Sequence, residues 1–189
     1  MTTSSWWALA CWLLAAPVSA DHHADTPPSL GDVYNYHRIN DRLVTAGQIA
    51  PAHVPLLHDA GVELIVNLAV ANPEQNRDEA FAVAEAGIPY VNIPVVWESP
   101  TQADLELFLA VMDAAQDKHV LVHCFAKYRA SAFTYLHHVL RGDVDQKAAR
   151  RTSMSYGTTR PGPSTRSGGR SWTTHCAEYA QRHRRAHAV

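Results

Sequence analysis

The sequence predicts an α/β fold with a central, mostly parallel sheet flanked by helices. Two short apolar runs, Glu63 to Ala69 (ELIVNLA) and Val120-Leu121-Val122, have the length and composition of strands buried on both faces. The segments between candidate strands carry helical rather than alternating periodicity, which argues for crossover connections and parallel pairing. A chain of 189 residues allows one domain of ordinary size.

Taken in order, Met1 to Ala20 reads as a secretory signal peptide. Trp6 to Ala16 is an apolar core too short to span a bilayer, Pro17 breaks it, and Val18-Ser19-Ala20 offers small residues before a cut ahead of Asp21. Export to a bacterial periplasm follows as the expected localisation, with no transmembrane segment in the mature chain. Residues 21–31 form a polar leader expected to be disordered, and a domain is expected over 32–142. Tyr34 to Ile39 and Arg42 to Ala46 are its first two strands, placed at a sheet edge. Pro51 to Ala60 is a short helix that Gly61 stops. Gln75 to Ala86 is a helix with Ala80, Phe81 and Ala84 inward, ended by Gly87. Tyr90 to Val96 is a third strand. Thr101 caps the next helix, Asp104 supplies a carboxylate in its first turn, and Leu105, Phe108, Leu109 and Met112 share one face.

The chemistry gathers between Lys118 and Gly142. The run Val120-Leu121-Val122 closes on a tight connection, and a helix follows in which Phe133, Leu136 and Leu140 share one face. Between them stand Cys124 and Arg129. A strand that turns into a helix aims free backbone N–H groups and the positive end of a helix dipole at one spot, which binds anions. A thiol there loses its proton more easily, and an arginine adds a planar fork for phosphate or sulfate oxygens. The plainer alternative is a buried, inert thiol.

His123-Cys124 followed by Arg129 and a hydroxyl residue, Ser131, on a strand-loop-helix resembles the protein tyrosine and dual-specificity phosphatase superfamily. Tyr36-His37-Arg38-Ile39, Leu43 to Gln48 and Ile93 to Glu98 resemble, more narrowly, the bacterial phosphatase-like domains also found in beta-lactamase-hydrolase-like proteins. The resemblance covers roughly Val33 to Arg141, and implies a cysteine-phosphatase-like fold. It also implies hydrolysis of a phosphomonoester through a phosphocysteine, without metal or organic cofactor. Cys124 is then the nucleophile, and His123, Phe125, Ala126, Lys127, Tyr128 and Arg129 surround the substrate. Ser131 assists the leaving thiolate. His123 orients or polarises Cys124, with a core histidine as the alternative.

The loop departs from the family pattern. Four residues, Phe125 to Tyr128, separate Cys124 from Arg129, one fewer than usual, and Ala130 intervenes before Ser131. Either Ser131 keeps its place and the arginine has moved, or the loop has lost a residue and matches many rhodanese-like sulfurtransferases. Lys127 replaces a glycine that would permit a left-handed backbone; lysine is expected not to adopt one, offering charge instead. The family's general acid is an aspartate on an upstream loop. The matching segment, Val96 to Pro100, has none, which leaves Glu98 first and Asp104 second as candidates. The function expected is phosphatase, acting on a phosphorylated protein or small-molecule phosphoester. A sulfurtransferase carrying a Cys124 persulfide and an inactive anion-binding module are the alternatives.

After Leu140 the chain changes character. Residues 1–140 hold 6 basic and 15 acidic residues, whereas 141–189 hold 10 and 3 and contain no Leu, Ile or Phe. Residues 143–189 therefore read as a basic tail that cannot bury a core, or as the product of a frame change; the sequence admits both. No nucleic-acid partner is expected of an exported chain. Of three cysteines, Cys11 leaves with the signal, so Cys124 and Cys176 face an oxidising compartment. There they can pair in a disulfide, or Cys124 can oxidise to a sulfenic acid. His22-His23 could take up a metal ion but is read as part of a disordered terminus, and His137-His138 lacks a further ligand at metal spacing and is read as structural.

Overall fold

A computed structural model of the chain describes residues 28–141. The expected signal peptide, the first part of the expected leader, Cys176 and residues 142–189 lie outside the described residues. Five strands, β1 (His37–Arg38), β2 (Leu43–Ala46), β3 (Leu64–Asn67), β4 (Tyr90–Asn92) and β5 (Val120–His123), form one sheet. Four helices accompany them: α1 (Val54–Asp59), α2 (Glu79–Glu85), α3 (Gln102–Ala114) and α4 (Tyr128–Arg141). The strand order is β1-β2-β5-β3-β4, with β1 antiparallel to β2 and every other pair parallel. Sheet and helices agree with the predicted fold class.

The central strand, β5, is also the one that leads into Cys124. Its side chains alternate between two cores, as the two-residue period of a strand requires. Val120 and Val122 join Leu105, Phe108, Met112, Phe133 and Leu136 of α3 and α4. Leu121 joins Val44, Ile65, Val54, Leu57 and Val83 on the face of α1 and α2. Phe108 and Phe133 meet edge to face with centroids 5.5 Å apart, a pairing worth about 1 kcal/mol beyond its buried area. Arg141 at the end of α4 pairs with Asp113 of α3, and that guanidinium holds the Asp113 carboxyl below its ordinary range.

Several elements differ from expectation for physical reasons. Only β1 is an edge strand on its side, because β2 pairs with β5 along its whole length. Tyr34 and Asn35 do not extend β1; Asn35 takes a left-handed turn at φ 54°, a conformation asparagine tolerates. The leader is not without structure at its end, since Leu30–Asp32 form a 3-10 turn and Ser29 N–H donates to the Asp32 carboxylate at 2.7 Å. Helix α2 begins later than predicted and turns another face inward. Ala80, Phe81 and Ala84 are exposed, while Glu79 and Val83 are buried. The hydrogen bonds of Glu79 decide the rotation, because a buried carboxylate must keep its partners whereas an exposed Phe81 loses only hydrophobic burial. Strand β4 stops at Asn92, before Pro94, which cannot donate to a ladder. In α4 it is Val139, not Leu140, that is fully buried beside Phe133 and Leu136.

Candidate functional site

Cys124 leaves the end of β5, and the loop Cys124 to Lys127 leads into α4 at Tyr128. Strands β2, β3 and β5 run parallel and end together at Ala46, Asn67 and His123. The cysteine therefore lies beyond the carboxyl ends of the strands, where open parallel sheets bind ligands. It is a free thiol, 2% exposed, on the α3–α4 side.

The loop's backbone is held from outside. Gln48 N–H donates to Phe125 O at 2.9 Å, and Asn35 Nδ2 to Ala126 O at 3.4 Å. Both peptides are trans, so each outward carbonyl turns the next N–H the opposite way. The N–H groups of Ala126 and Lys127 are thereby aimed away from the straps. Gly47 makes this strap fit: a Cβ there would lie 2.6 Å from Tyr34 Cδ1 and 3.0 Å from Phe125 O. Ser131 N–H donates to Lys127 O at 2.8 Å, so α4 springs directly from the loop.

Lys127 adopts the left-handed conformation at φ 76° that was expected to require glycine. The bonds made by its neighbours hold it there, at a cost of about 1–2 kcal/mol for a side chain bearing Cβ. It is also buried, and desolvation brings its ammonium pKa down to about 8. His37 on β1 is pushed below its ordinary value by burial first and by the Lys127 charge second.

Arg129 is buried in the first turn of α4. Its guanidinium carbon lies 5.6 Å from the Phe125 ring centroid and 5.9 Å from that of Trp97, both within cation–π range. Trp97 also meets Tyr128 at 5.9 Å. Nε of Arg129 has no hydrogen-bond partner among the described residues. The loop that carries Trp97 and Glu98 is thus laid against the start of α4, which brings Cys124, Phe125, Tyr128, Arg129 and Trp97 into one neighbourhood. Glu98 is exposed in this loop. Asp104 is engaged otherwise: Thr101 N–H donates to its carboxylate at 2.8 Å and Asp104 N–H donates to Thr101 Oγ1 at 3.1 Å. That reciprocal cap accounts for Asp104. Ser131 is part-buried one turn into α4.

His123 does not point toward Cys124. Adjacent residues of a strand face opposite sides, and His123 is fully buried with Nε2 2.9 Å from Glu79 Oε1 on the α2 side. Reading the sequence missed Glu79, Asn67, Tyr90, Gln48 and Trp97. The available signal was Asn67 inside the apolar run of β3, because an amide buried on both faces needs partners. Among the described residues no group of three or more His, Cys, Asp or Glu could hold a metal ion, and no helix is long and apolar enough to cross a membrane.

No family model matches the chain. A Beta-lactamase hydrolase-like protein of Agrobacterium fabrum is 34% identical over 113 residues, which are 58% of this chain and 26% of that protein. One from Xylella fastidiosa is 29% identical over 123 residues, 63% of this chain and 28% of its own length. The chain thus spans about a quarter of the curated relatives it matches. A solved structure of a candidate phosphatase (DUF442) from Shewanella putrefaciens CN-32 superposes with a TM-score of 0.68 at 31% identity, covering 81% of this chain and 95% of that one. P. aeruginosa TpbA, at 21% identity and a TM-score of 0.55 over 66% of this chain and 74% of its own, shares the fold.

Proposed function

The chain belongs to the DUF442 group of phosphatase-like proteins, and we propose that it hydrolyses phosphomonoesters through a phosphocysteine. The observation that carries this reading is the strapped loop. Carbonyls of Phe125 and Ala126 held by Gln48 and Asn35 turn the following N–H groups away from those straps, in a loop that carries a buried cysteine and leads to two buried cations. Such a nest suits the equatorial oxygens of a phosphoryl group.

In the proposed cycle the Cys124 thiolate attacks phosphorus, an S–P bond forms and the P–O bond to the leaving group breaks. Arg129, Lys127 and the loop N–H groups hold the three remaining oxygens. Glu98, exposed on the loop that presents Trp97, gives its proton to the leaving oxygen. Water then attacks phosphorus and gives a proton back to the Glu98 carboxylate, the S–P bond breaks, and phosphate leaves with Cys124 returned as thiolate, assisted by Ser131. The substrate class is a phosphorylated protein or small-molecule phosphoester; a solved complex of TpbA holds pTyr. Export to the periplasm belongs to the same proposal, on the Met1 to Ala20 segment, and amino-terminal sequencing of the secreted protein tests it. A mature chain beginning at Asp21 is expected.

The short spacing of Cys124 and Arg129 favours one second reading, a sulfurtransferase, since a sulfane sulfur adds a single atom to the thiolate. Assaying the reduced protein with an aryl phosphate, and separately with thiosulfate plus cyanide, decides. Phosphate release lost in Cys124→Ser and Arg129→Ala is the expected result. Thiocyanate without phosphate release installs the sulfurtransferase, and phosphate binding without either activity leaves an inactive anion-binding module.

A further inference from the structure

Behind the loop, on the α1–α2 face of the sheet, lies a second polar cluster that the proposed cycle does not use. Glu79 of α2 is 1% exposed. Its Oε1 accepts from Asn67 Nδ2 at 3.0 Å and from Tyr90 OH at 2.8 Å, and lies 2.9 Å from His123 Nε2. Its Oε2 accepts from the Gln48 side-chain amide. Burial and the Glu79 charge together push the Tyr90 hydroxyl pKa above its ordinary value. One carboxylate therefore gathers side chains from β3, β4, β5 and the segment after β2. Burying a carboxylate is costly unless donors surround it, and an apolar residue would fill the same space without that cost.

Two of these partners lead directly to the nucleophile. His123 precedes Cys124, and its carbonyl accepts from Leu68 N–H at 2.8 Å. Gln48 donates its own backbone N–H to the carbonyl of Phe125, the residue after Cys124. We propose that Glu79 is the positioning residue of the cysteine loop, clamping the residues on both sides of Cys124 from the opposite face of the sheet. The proposal rests on the phosphatase reading. Through the 2.9 Å contact with His123, a close approach without hydrogen-bond geometry, it sets the direction in which β5 releases Cys124. Through Gln48 it keeps the Phe125 carbonyl on its strap and the following N–H turned away from it.

Glu79→Gln in the full chain tests this. The amide keeps the volume but sets a donor against the Gln48 donor. The expected result is a folded protein, by circular dichroism, whose kcat on an aryl phosphate falls about 100-fold while KM changes little. Gln48→Leu leaves Glu79 and His123 together and is expected to lower kcat less, with the double variant no worse than Glu79→Gln alone. A purely structural role would lower the melting temperature and spare kcat per folded molecule. A folded Glu79→Gln enzyme with wild-type kcat overturns the proposal; if that variant does not fold, wild-type kcat in folded Gln48→Leu overturns it. If the wild-type protein releases no phosphate, the phosphatase reading has failed instead. Positioning is then read from protection of Cys124 by inorganic phosphate against iodoacetamide, expected to weaken in Glu79→Gln and unchanged if the proposal is wrong.

Discussion

Cys124 and His123 are neighbours in the chain and opposites in environment. On the Cys124 side, Nε of Arg129 is buried without a hydrogen-bond partner among the described residues, and Lys127 is buried and desolvated enough to lose much of its basicity. On the His123 side both oxygens of Glu79 are engaged, by donors from Gln48, Asn67 and Tyr90, while the His123 ring lies 2.9 Å away with neither nitrogen in a hydrogen bond among the described residues. A buried guanidinium within reach of two aromatic rings, its Nε unspent among the described residues, costs stability, and an anion accepting from it would offset that cost. A satisfied carboxylate gains rigidity and offers no free capacity to a ligand. The two faces of one strand end thus differ in kind: one buries a cation with unspent donor capacity, and the other spends a carboxylate on holding neighbouring elements together.

The largest effect should come from the reacting face. Cys124→Ser is expected to lower aryl phosphate turnover about 1,000-fold or more with little change in melting temperature, measured by initial rates and calorimetry. Arg129→Ala should cost about 100-fold in kcat. Because it removes a buried cation that no carboxylate among the described residues pairs with, its melting temperature should stay level or rise; a large fall would mean that the aromatic packing of Arg129 matters more than its charge.

Lys127→Gly sharpens the comparison further. Glycine removes the left-handed strain but adds freedom to the unfolded chain, so a net gain of about 0.5–1 kcal/mol is expected by denaturant titration. The same change removes a cation. In the wild-type protein, affinity for inorganic phosphate should fall as pH rises through about 8, where Lys127 loses its proton, and Lys127→Gly should flatten that step. Stability follows the opposite trend. The folded pKa lies below the unfolded value, so the unfolded chain binds more protons between about pH 8 and 10.5, and the Lys127 contribution to stability rises across that window. His37, the other titrating group coupled to Lys127, is pushed below its ordinary value and loses its proton at lower pH. The smallest effect is far from either face. Thr101→Ala should cost about 1 kcal/mol of stability through the lost cap and leave kcat unchanged.

What the residues by themselves determined was local. The buried runs of β3 and β5, the cap at Thr101 and Asp104, the stops at Gly61 and Gly87, and a cysteine between strand and helix follow from periodicity and backbone preference within a few positions. Tertiary structure decided the rest. Asn35 reaches Ala126 across 91 positions and Gln48 reaches Glu79 across 31. Those distant bonds make Lys127 left-handed, rotate α2 so that Glu79 rather than Phe81 is buried, and send His123 away from Cys124. No local preference encodes them, because each local choice is overruled by the need to satisfy a buried polar group from another element.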